Sequence, residues 1–415
     1  MLGAALFAGL AGLSAPAPLP VAPASELEVT ALAVPSGVSA RYPRLERDSS
    51  GTIVLAWTER GSADAALRCA ALAPGAPAFG AAGEVAHGEG WFVNWADCPV
   101  VAPGPGDRAL GLWLEKNGAG TYAYGVRFRL RSDAAWGEPR WLHDDQGPVE
   151  HGFVATVALD DGWAAVWLDG RKGAEAAQEG GHGGHNEHAG AEMSLYLRTV
   201  SAGGELGPEL LLDGRVCDCC QTALARTADG ALVCAYRDRG DDETRDVSIV
   251  RVVDGRASEP RAVHQDGWRV AGCPVNGPSL AAAGERVACA WYTEAPGARV
   301  LLALSADGGR SFGAPVRVDE GGAAGRVSTA WLADGSLLVT WLEELDAAEG
   351  RGAWRAQRYT ATGEPAGSAV TVAATETARS SGFLRLVSEG DGALAAWTVR
   401  DGDFELRAAR LRVAR

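Results

Sequence analysis

One strand pattern recurs seven times along this 415-residue chain, and it limits the possible folds more than any other feature. Each copy has a turn with Gly or Asp, an apolar strand, an aromatic residue and then a polar or charged end. The aromatic positions are Trp57, Trp113, Trp167, Tyr236, Trp291, Trp341 and Trp397. Subtracting successive positions gives spacings of 50 to 69 residues. A strand-based repeat of this length predicts a β-propeller.

The segments around each copy indicate how many blades the ring has. One strand precedes each copy and another follows it, and in six copies a fourth strand comes next. The seventh copy lacks the fourth strand, whereas LEVTALAV (Leu27–Val34) stands alone before the first copy. Because a ring must join its first and last blades, we expect an all-β propeller of seven four-stranded blades closed by this N-terminal strand. A ring of six blades is the alternative.

The repeated aromatic residues are interpreted as core residues between neighbouring blades, because large aromatic side chains dominate packing. The charged residues that end the same strands, such as Glu59, Glu115 and Asp169, recur with the repeat. A residue type that is present in most blades cannot be catalytic in all of them. The recurrent acids are therefore predicted to have a structural role.

Composition and the first residues bear on location and partners. The net charge of -15 argues against a nucleic-acid-binding surface, since such surfaces need clustered Lys and Arg. An apolar run from Met1 to Leu13 precedes a Pro/Ala-rich stretch ending at Ala24. This pattern predicts a signal peptide over residues 1–24 and a single propeller domain over 25–415, in a periplasmic or secreted, monomeric protein without a membrane span.

Two motifs resemble a known family. Ser305–Phe312 reads SADGGRSF and fits the Asp-box pattern S-x-D-x-G-x-[ST]-[WF]. Arg41-Tyr42-Pro43, followed by a strand, is similar to the R-I-P segment that opens sialidase catalytic domains. The chain thus resembles the sialidase-like propellers, which carry Asp-box (BNR) repeats. In that superfamily the Asp-box is a turn-stabilising device.

The resemblance also implies an alternative function, an exo-sialidase-type glycoside hydrolase. Such an enzyme uses an arginine cluster for the substrate carboxylate and a tyrosine nucleophile primed by a glutamate. Arg41, Arg326 and Arg379 lie just before first strands of blades, where a cluster is geometrically feasible. Alignment on Asp391-Gly392 places Phe383 at the nucleophile position, and phenylalanine has no hydroxyl group. Whether the protein is an enzyme therefore stays open.

The cysteines are unevenly distributed over the repeat. Cys69, Cys234 and Cys289 lie within strands, where a small buried thiol is usual. The other five lie in loops that enter first strands: Cys98, Cys217, Cys219, Cys220 and Cys273. In a four-stranded blade these loops share one face of the ring with the loops between second and third strands. We define this as the channel face, because the central channel opens there.

Histidines add to the channel face. His151 lies at the entry to the third blade, and a Gly-rich insertion over residues 173–192 carries His182, His185 and His188 in a second-to-third-strand loop. Short His-rich tracts are typical of metal capture, and thiolates with imidazoles suit copper or zinc. The sequence predicts that these four histidines and the five loop cysteines supply metal ligands.

Two other interpretations of the cysteines remain open. In an exported protein, loop cysteines commonly form disulfides, and Cys219 or Cys220 would then bridge to Cys273. That arrangement corresponds to a disulfide-stabilised propeller that binds other proteins. The leading hypothesis is an exported propeller whose channel face binds a small molecule, a glycan or a metal ion, with copper or zinc as the metal.

Overall fold

The computed structural model describes residues 27–37, 39–173 and 192–414. The predicted signal peptide over residues 1–24 and the histidines at 182, 185 and 188 lie outside these described residues. Almost all regular structure in the described part is β-strand, with a short helix at 171–173 and a 3-10 helix at Arg379–Ser381. No helix in it has both the length and the apolar character needed to cross a bilayer.

The strands form seven separate antiparallel sheets, one per blade, in chain order. The sheets of the first three blades are β2 (Ala40–Arg47), β3 (Ile53–Arg60), β4 (Asp64–Leu72) and β5 (Gly83–Glu89); β6 (Val100–Pro103), β7 (Ala109–Lys116), β8 (Tyr124–Ser132), β9 (Ala135–Trp136) and β10 (Arg140–Trp141); and β11 (His151–Leu159), β12 (Gly162–Asp169), β13 (Met193–Ser201) and β14 (Leu210–Val216).

The sheets of blades 4 to 7 continue the same order. They are β15 (Ala223–Arg226), β16 (Leu232–Arg237), β17 (Val247–Val253), β18 (Arg256–Ala257) and β19 (Arg261–Ala262); β20 (Ser279–Ala283), β21 (Arg286–Thr293), β22 (Arg299–Ser305) and β23 (Val316–Arg317); β24 (Ala323–Trp331), β25 (Leu337–Asp346), β26 (Arg351–Tyr359) and β27 (Val370–Glu376); and β28 (Arg385–Glu389), β29 (Gly392–Asp401), β30 (Asp403–Val413) and β1 (Leu27–Leu32).

The seventh blade joins the two ends of the described chain. β1 pairs antiparallel with β30, with Leu27 opposite Val413 and Leu32 opposite Ala408. This pairing supplies the outer strand that the last blade lacks and leaves fewer strand edges unpaired. The predicted seven-bladed propeller closed by an N-terminal strand is confirmed, and the six-bladed alternative is wrong.

The repeated aromatic residues are buried, as predicted, and all seven are at most 6% exposed. Two of the recurrent acids, Glu59 and Asp169, accept hydrogen bonds from these indoles. Trp57 Nε1 donates a hydrogen bond to Glu59 at 2.9 Å, and Trp167 Nε1 donates one to Asp169 at 2.9 Å. Residues two apart on a strand share a face, so an acid at that position can accept the bond from a buried indole. The acids at these strand ends are structural.

The Asp-box motif forms a tight turn between β22 and β23. Asp307 Oδ1 accepts a hydrogen bond from the backbone N–H of Ser311 at 2.9 Å, and Asp307 Oδ2 accepts one from the Ser311 hydroxyl at 2.6 Å. The following Gly308 and Gly309 have φ of 73° and 78°, a conformation that favours glycine. A turn between third and fourth strands lies on the face opposite the channel face, so this motif does not contribute to a site there.

Candidate metal centre on the channel face

The loops that enter first strands are tied to one another at the channel face. The Gln221 side chain donates to the carbonyl of Ala96 at 2.9 Å and accepts from the N–H of Gly277 at 3.0 Å. Next to it, the Thr222 hydroxyl donates to the carbonyl of Phe153 at 2.7 Å. Residues from blades 2, 3 and 5 are thus held by the entry loop of blade 4. That loop carries Cys217, Cys219 and Cys220, between β14 and β15.

Three thiols of this loop face one another. Cys217 Sγ lies 3.3 Å from Cys220 Sγ and 3.8 Å from Cys219 Sγ. The loop backbone is fixed where it leaves the preceding blade, because the N–H of Cys217 donates to the carbonyl of Arg237 at 3.0 Å. Each of the three residues contributes a sulfur to one group whose atoms all lie within 4.8 Å of one another.

A fourth cysteine comes from the neighbouring blade. Cys273, in the loop between β19 and β20, forms a second group with Asp218 and Cys219 in which all ligand atoms lie within 4.8 Å. Cys273 Sγ is 3.8 Å from Asp218 Oδ2. Cys219 therefore belongs to both groups. The structure brings together four of the five loop cysteines that the sequence singled out.

A buried arginine lies against the thiols. Arg245 Nη1 donates to Cys217 Sγ at 3.2 Å and to Asp218 Oδ1 at 3.0 Å. Burial by itself would raise the pKa of Cys217, but hydrogen bonds from Cys219 and Cys220 together with the Arg245 charge hold that pKa well below its ordinary value. The donated hydrogen bonds raise the pKa of Cys219, and burial raises that of Cys220. The group therefore favours a thiolate at Cys217.

Sequence reasoning missed Asp218 and Arg245 as members of this cluster. Arg245 lies in the loop between β16 and β17, a second-to-third-strand loop. Such loops share the channel face with the cysteine loop of the same blade. This topological rule could have placed Arg245 near the cysteines. A second signal was the tract GDDETRD around Arg245, which departs from the repeat pattern.

The sulfur arrangement suits a thiophilic ion. Four ligands at about 2.3 Å from a tetrahedral zinc ion stand about 3.8 Å from one another. The separations of 3.3 and 3.8 Å around Cys217 are close to that value. None of the eight cysteines, all of which are described, forms a disulfide, so the alternative bridge to Cys273 is not present in this structure. Thiolates are the ligands that Cu(I) and Zn²⁺ select.

Cys98 and His151 make other contacts. The Cys98 thiol donates to the carbonyl of Trp95 at 3.6 Å and lies 3.8 Å from Arg385 Nη2. His151 is fully buried and stacks on His143, with ring centroids 3.8 Å apart. Neither residue belongs to the two groups that contain Cys219. The structure does not bring Cys98 or His151 to the cysteine cluster.

His151 does belong to a separate group with Asp145 and Asp169, whose donor set does not fit a metal ion. His151 Nε2 lies 3.1 Å from Asp145 Oδ2 and 3.5 Å from Asp169 Oδ2. However, Asp169 already accepts hydrogen bonds at both oxygens from the Arg171 side chain, and another from Trp167 Nε1. The backbone N–H of Arg171 also donates to Asp169 Oδ1, at 3.1 Å, so all four lone-pair positions of this carboxylate are used and none is left for a metal.

The three arginines of the hydrolase alternative differ in their surroundings. Arg326, on β24, is 7% exposed, and burial followed by the nearby Arg379 charge lowers its pKa to about 10. Its guanidinium donates to the carbonyls of residues 377, 378 and 382 and to the Ser381 hydroxyl. Three of these four hydrogen bonds come from Nη1 and the fourth from Nη2. Arg326 thus holds the entry loop of blade 7.

Arg41 and Arg379 have surroundings that differ from those of Arg326. The Arg41 guanidinium lies over the ring of Phe404, 3.8 Å from its centroid, and bonds to Ser39. Arg379 is exposed in the 3-10 helix before β28. Each of the three predicted arginines therefore has its own set of contacts.

The residue that the sequence alignment assigns to the family's nucleophile position is buried. Phe383 precedes β28, is 3% exposed and stacks on Trp95 with centroids 5.7 Å apart. A tyrosine–glutamate pair exists elsewhere, since the Tyr124 hydroxyl donates to Glu150 Oε1 at 2.5 Å. Tyr124 is 1% exposed, and burial raises its pKa well above the ordinary value. The Tyr124 hydroxyl is therefore closed off from solvent in this structure.

A small cleft lies between blades 1 and 2, beside Trp91 and Asn94. Its volume is about 10 Å³, room for about one water molecule. A monosaccharide does not fit there.

No protein-family model and no curated protein sequence matches the chain. Solved structures do resemble it. A protein of unknown function from Dyadobacter fermentans has 14% identity, with 93% of this chain and 98% of that chain covered and a TM-score of 0.52. The BP39L lectin from Burkholderia pseudomallei has 10% identity, with 89% and 96% covered and a TM-score of 0.55.

Sialidases are among the similar structures as well. The NanB sialidase from Streptococcus pneumoniae has 12% identity, with 92% of this chain and 70% of that chain covered and a TM-score of 0.47. At these identities the likenesses concern the fold alone. The predicted resemblance to the sialidase-like propellers is confirmed as a resemblance of fold.

Proposed function

We propose that this propeller binds a thiophilic metal ion, Cu(I) or Zn²⁺, through Cys217, Cys219 and Cys220 on its channel face. The observation that carries the proposal is the approach of Cys217 Sγ to the other two sulfurs, at 3.3 and 3.8 Å, in one short loop. Thiolate sulfur is a strong ligand for both ions.

The loop is prepared for binding by its surroundings. Gln221 and Thr222 anchor its end to the entry loops of blades 2 and 5 and to β11 of blade 3, and the Cys217 N–H is bonded to Arg237. A ligand set that is already ordered loses less conformational entropy when the ion binds. The Arg245 guanidinium at 3.2 Å from Cys217 offsets part of the negative charge that three thiolates would bring together.

The two candidate ions differ in what they need from the site. Cu(I) is satisfied by a small set of soft sulfur ligands, whereas Zn²⁺ takes a fourth ligand in a tetrahedron. Cys273 and the Asp218 carboxylate stand next to Cys219 as candidates for that fourth position. Competition between the two ions for the reduced protein will decide which is preferred.

The test is metal binding by reduced protein purified without oxygen. Titration with Zn²⁺, and with Cu(I) in competition with a chromophoric chelator, should give one tightly bound ion per chain. The double variant Cys219→Ser/Cys220→Ser should bind at least about a hundredfold more weakly. Cys69→Ser, which removes a half-buried thiol in blade 1, is the matched control and should bind like the unchanged protein. Equal binding by the double variant and the control would refute the proposal.

Export belongs to the same proposal. Residues 1–24 have the pattern of a signal peptide, which would place the thiols in an oxidising compartment. A bound ion would there protect the clustered sulfurs from disulfide formation. Mass spectrometry of the protein from its native cells should find a mature N-terminus near residue 25; an intact Met1 in the cytoplasmic fraction would contradict export.

A further inference from the structure

The four clustered cysteines differ in their access to solvent. Cys217 and Cys220 are 1% and 2% exposed. Cys219 is half-buried, and Cys273 is exposed. The sulfurs therefore form a graded series from the surface, at Cys273, to the interior of blade 4, at Cys217 and Cys220. Such a gradient is not needed for an ion that is held permanently in the interior.

The solvent-exposed Cys273 belongs to a second group of possible metal ligands. Asp218, Cys219 and Cys273 present one oxygen and two sulfurs within 4.8 Å of one another, and they come from entry loops of two neighbouring blades. Cys219 is the residue that this outer group shares with the inner group of Cys217 and Cys220. An ion that is bound to Cys219 can thus contact either group.

We infer that Asp218, Cys219 and Cys273 form an outer subsite through which a Cu(I) ion passes between a soluble donor and the inner thiols. The inference rests on the proposed function of the inner group. It gives the protein the added capacity to accept the ion from another molecule by ligand exchange, with an exposed thiol as the first contact.

The exchange balances in atoms and electrons. The Cys273 sulfur forms a bond to the ion as one donor–metal bond breaks, and the Cys273 thiol proton goes to solvent. Cys219 then gives its thiol proton to solvent and binds, and the last donor bond breaks so that the donor leaves. Cys217 and Cys220 give their thiol protons to solvent and replace Cys273 while Cys219 stays bonded, and Cys273 takes a proton back from solvent. The copper remains Cu(I) throughout, so neither an oxidant nor a reductant takes part.

The inner group is expected to hold the ion more tightly than the outer one. The outer group replaces one sulfur by a carboxylate oxygen, which is a poor ligand for a soft ion. Asp218 Oδ1 is also occupied, because Arg245 donates to it at 3.0 Å. An ion that arrives at Cys273 therefore gains free energy by moving inward, which suits an entry position.

The experiment measures transfer rate and equilibrium affinity separately. Cu(I) is supplied as its bicinchoninate complex, and loss of the complex colour is followed by stopped flow under anaerobic conditions. Cys273→Ser should take the ion about tenfold more slowly, with an equilibrium affinity within about threefold of the unchanged protein. Cys69→Ser is again the matched control and should change neither quantity.

The possible outcomes separate failure of the outer subsite from failure of the proposed metal binding. Unchanged transfer by Cys273→Ser would overturn the outer subsite, and so would a parallel loss of affinity, because Cys273 would then be an ordinary ligand of the bound ion. No uptake by the unchanged protein would instead refute the proposed function itself. If the serine variant fails to fold, Cys273→Ala provides the same test.

Discussion

Two entry loops on the channel face show opposite uses of polar side chains. The loop that enters blade 7 is held from blade 6, because the Arg326 guanidinium on β24 donates hydrogen bonds to three backbone carbonyls and the Ser381 hydroxyl of that loop. In the loop that enters blade 4, the thiols of Cys217, Cys219 and Cys220 contact mainly one another, and the backbone is anchored by Gln221 and Thr222 instead.

The difference separates residues that build the face from residues that are available for chemistry. Buried polar groups are normally satisfied by hydrogen bonds, and the bonds from Nη1 and Nη2 of Arg326 all go to the chain itself. Thiols are weak hydrogen-bonding groups, so clustering them gains little for stability. The cluster of four cysteines therefore points to ligand binding, whereas the Arg326 loop points to structure.

The largest expected effect comes from removing the structural arginine. Arg326→Met keeps the length of the side chain but leaves several buried acceptors without a donor, and should lower the free energy of unfolding by about 3 kcal/mol. Urea denaturation measures the change. Arg379→Met, at an exposed neighbouring arginine, should cost less than about 0.5 kcal/mol. If the two variants are equally stable, Arg326 is available for a ligand and the contrast between the two loops is lost.

The next effect concerns metal-linked stability. An ion that binds only the folded protein at a free concentration a hundredfold above its dissociation constant adds about 2.7 kcal/mol to the free energy of unfolding. The unchanged protein should show this gain with Cu(I) or Zn²⁺ and lose it when a chelator is added. Cys219→Ser/Cys220→Ser should be insensitive to both treatments, while Arg326→Met, if folded, should still gain.

A smaller effect should follow from changing the arginine beside the thiols. Arg245→Met removes the hydrogen bond and the charge at Cys217, and should weaken metal binding about tenfold. Arg245→Lys, which keeps the charge, should recover part of that loss. Arg239→Met is the control, because Arg239 pairs with Glu243 and not with Cys217. Chelator competition measures all three, and a stronger effect at Arg239 would contradict the role given to Arg245.

The smallest effect is expected in the region that resembles a sialidase. Phe383→Tyr restores a hydroxyl at the family's nucleophile position but leaves Arg326 occupied by the blade 7 loop. Neither this variant nor the unchanged protein should release product from a fluorogenic sialoside, and Arg41→Ala should leave metal binding unchanged. Product release that depends on Arg41 would overturn the structural interpretation of the arginines.

Much of the architecture was predictable from the sequence. The seven aromatic positions predicted the number of blades, because a repeat whose core residues recur at similar spacings stacks as similar units. The strand at Leu27–Leu32 predicted the closure, which its pairing with β30 confirms. The repeated order of strands also assigned each loop to a face of the ring, so that the loop cysteines could be placed together before any distance was known.

The ligand groups themselves depended on tertiary structure. Topology places Cys98, His151 and Cys273 on one face alike, but only Cys273 reaches the blade 4 cysteines, because contact requires neighbouring blades and a side chain directed along their interface. The contribution of Arg245 and the bonding of Arg326 likewise depend on side-chain directions that repeat spacing does not encode. The sequence by itself determined the ring and the face; packing between adjacent blades decided which thiols meet and which arginine is already used.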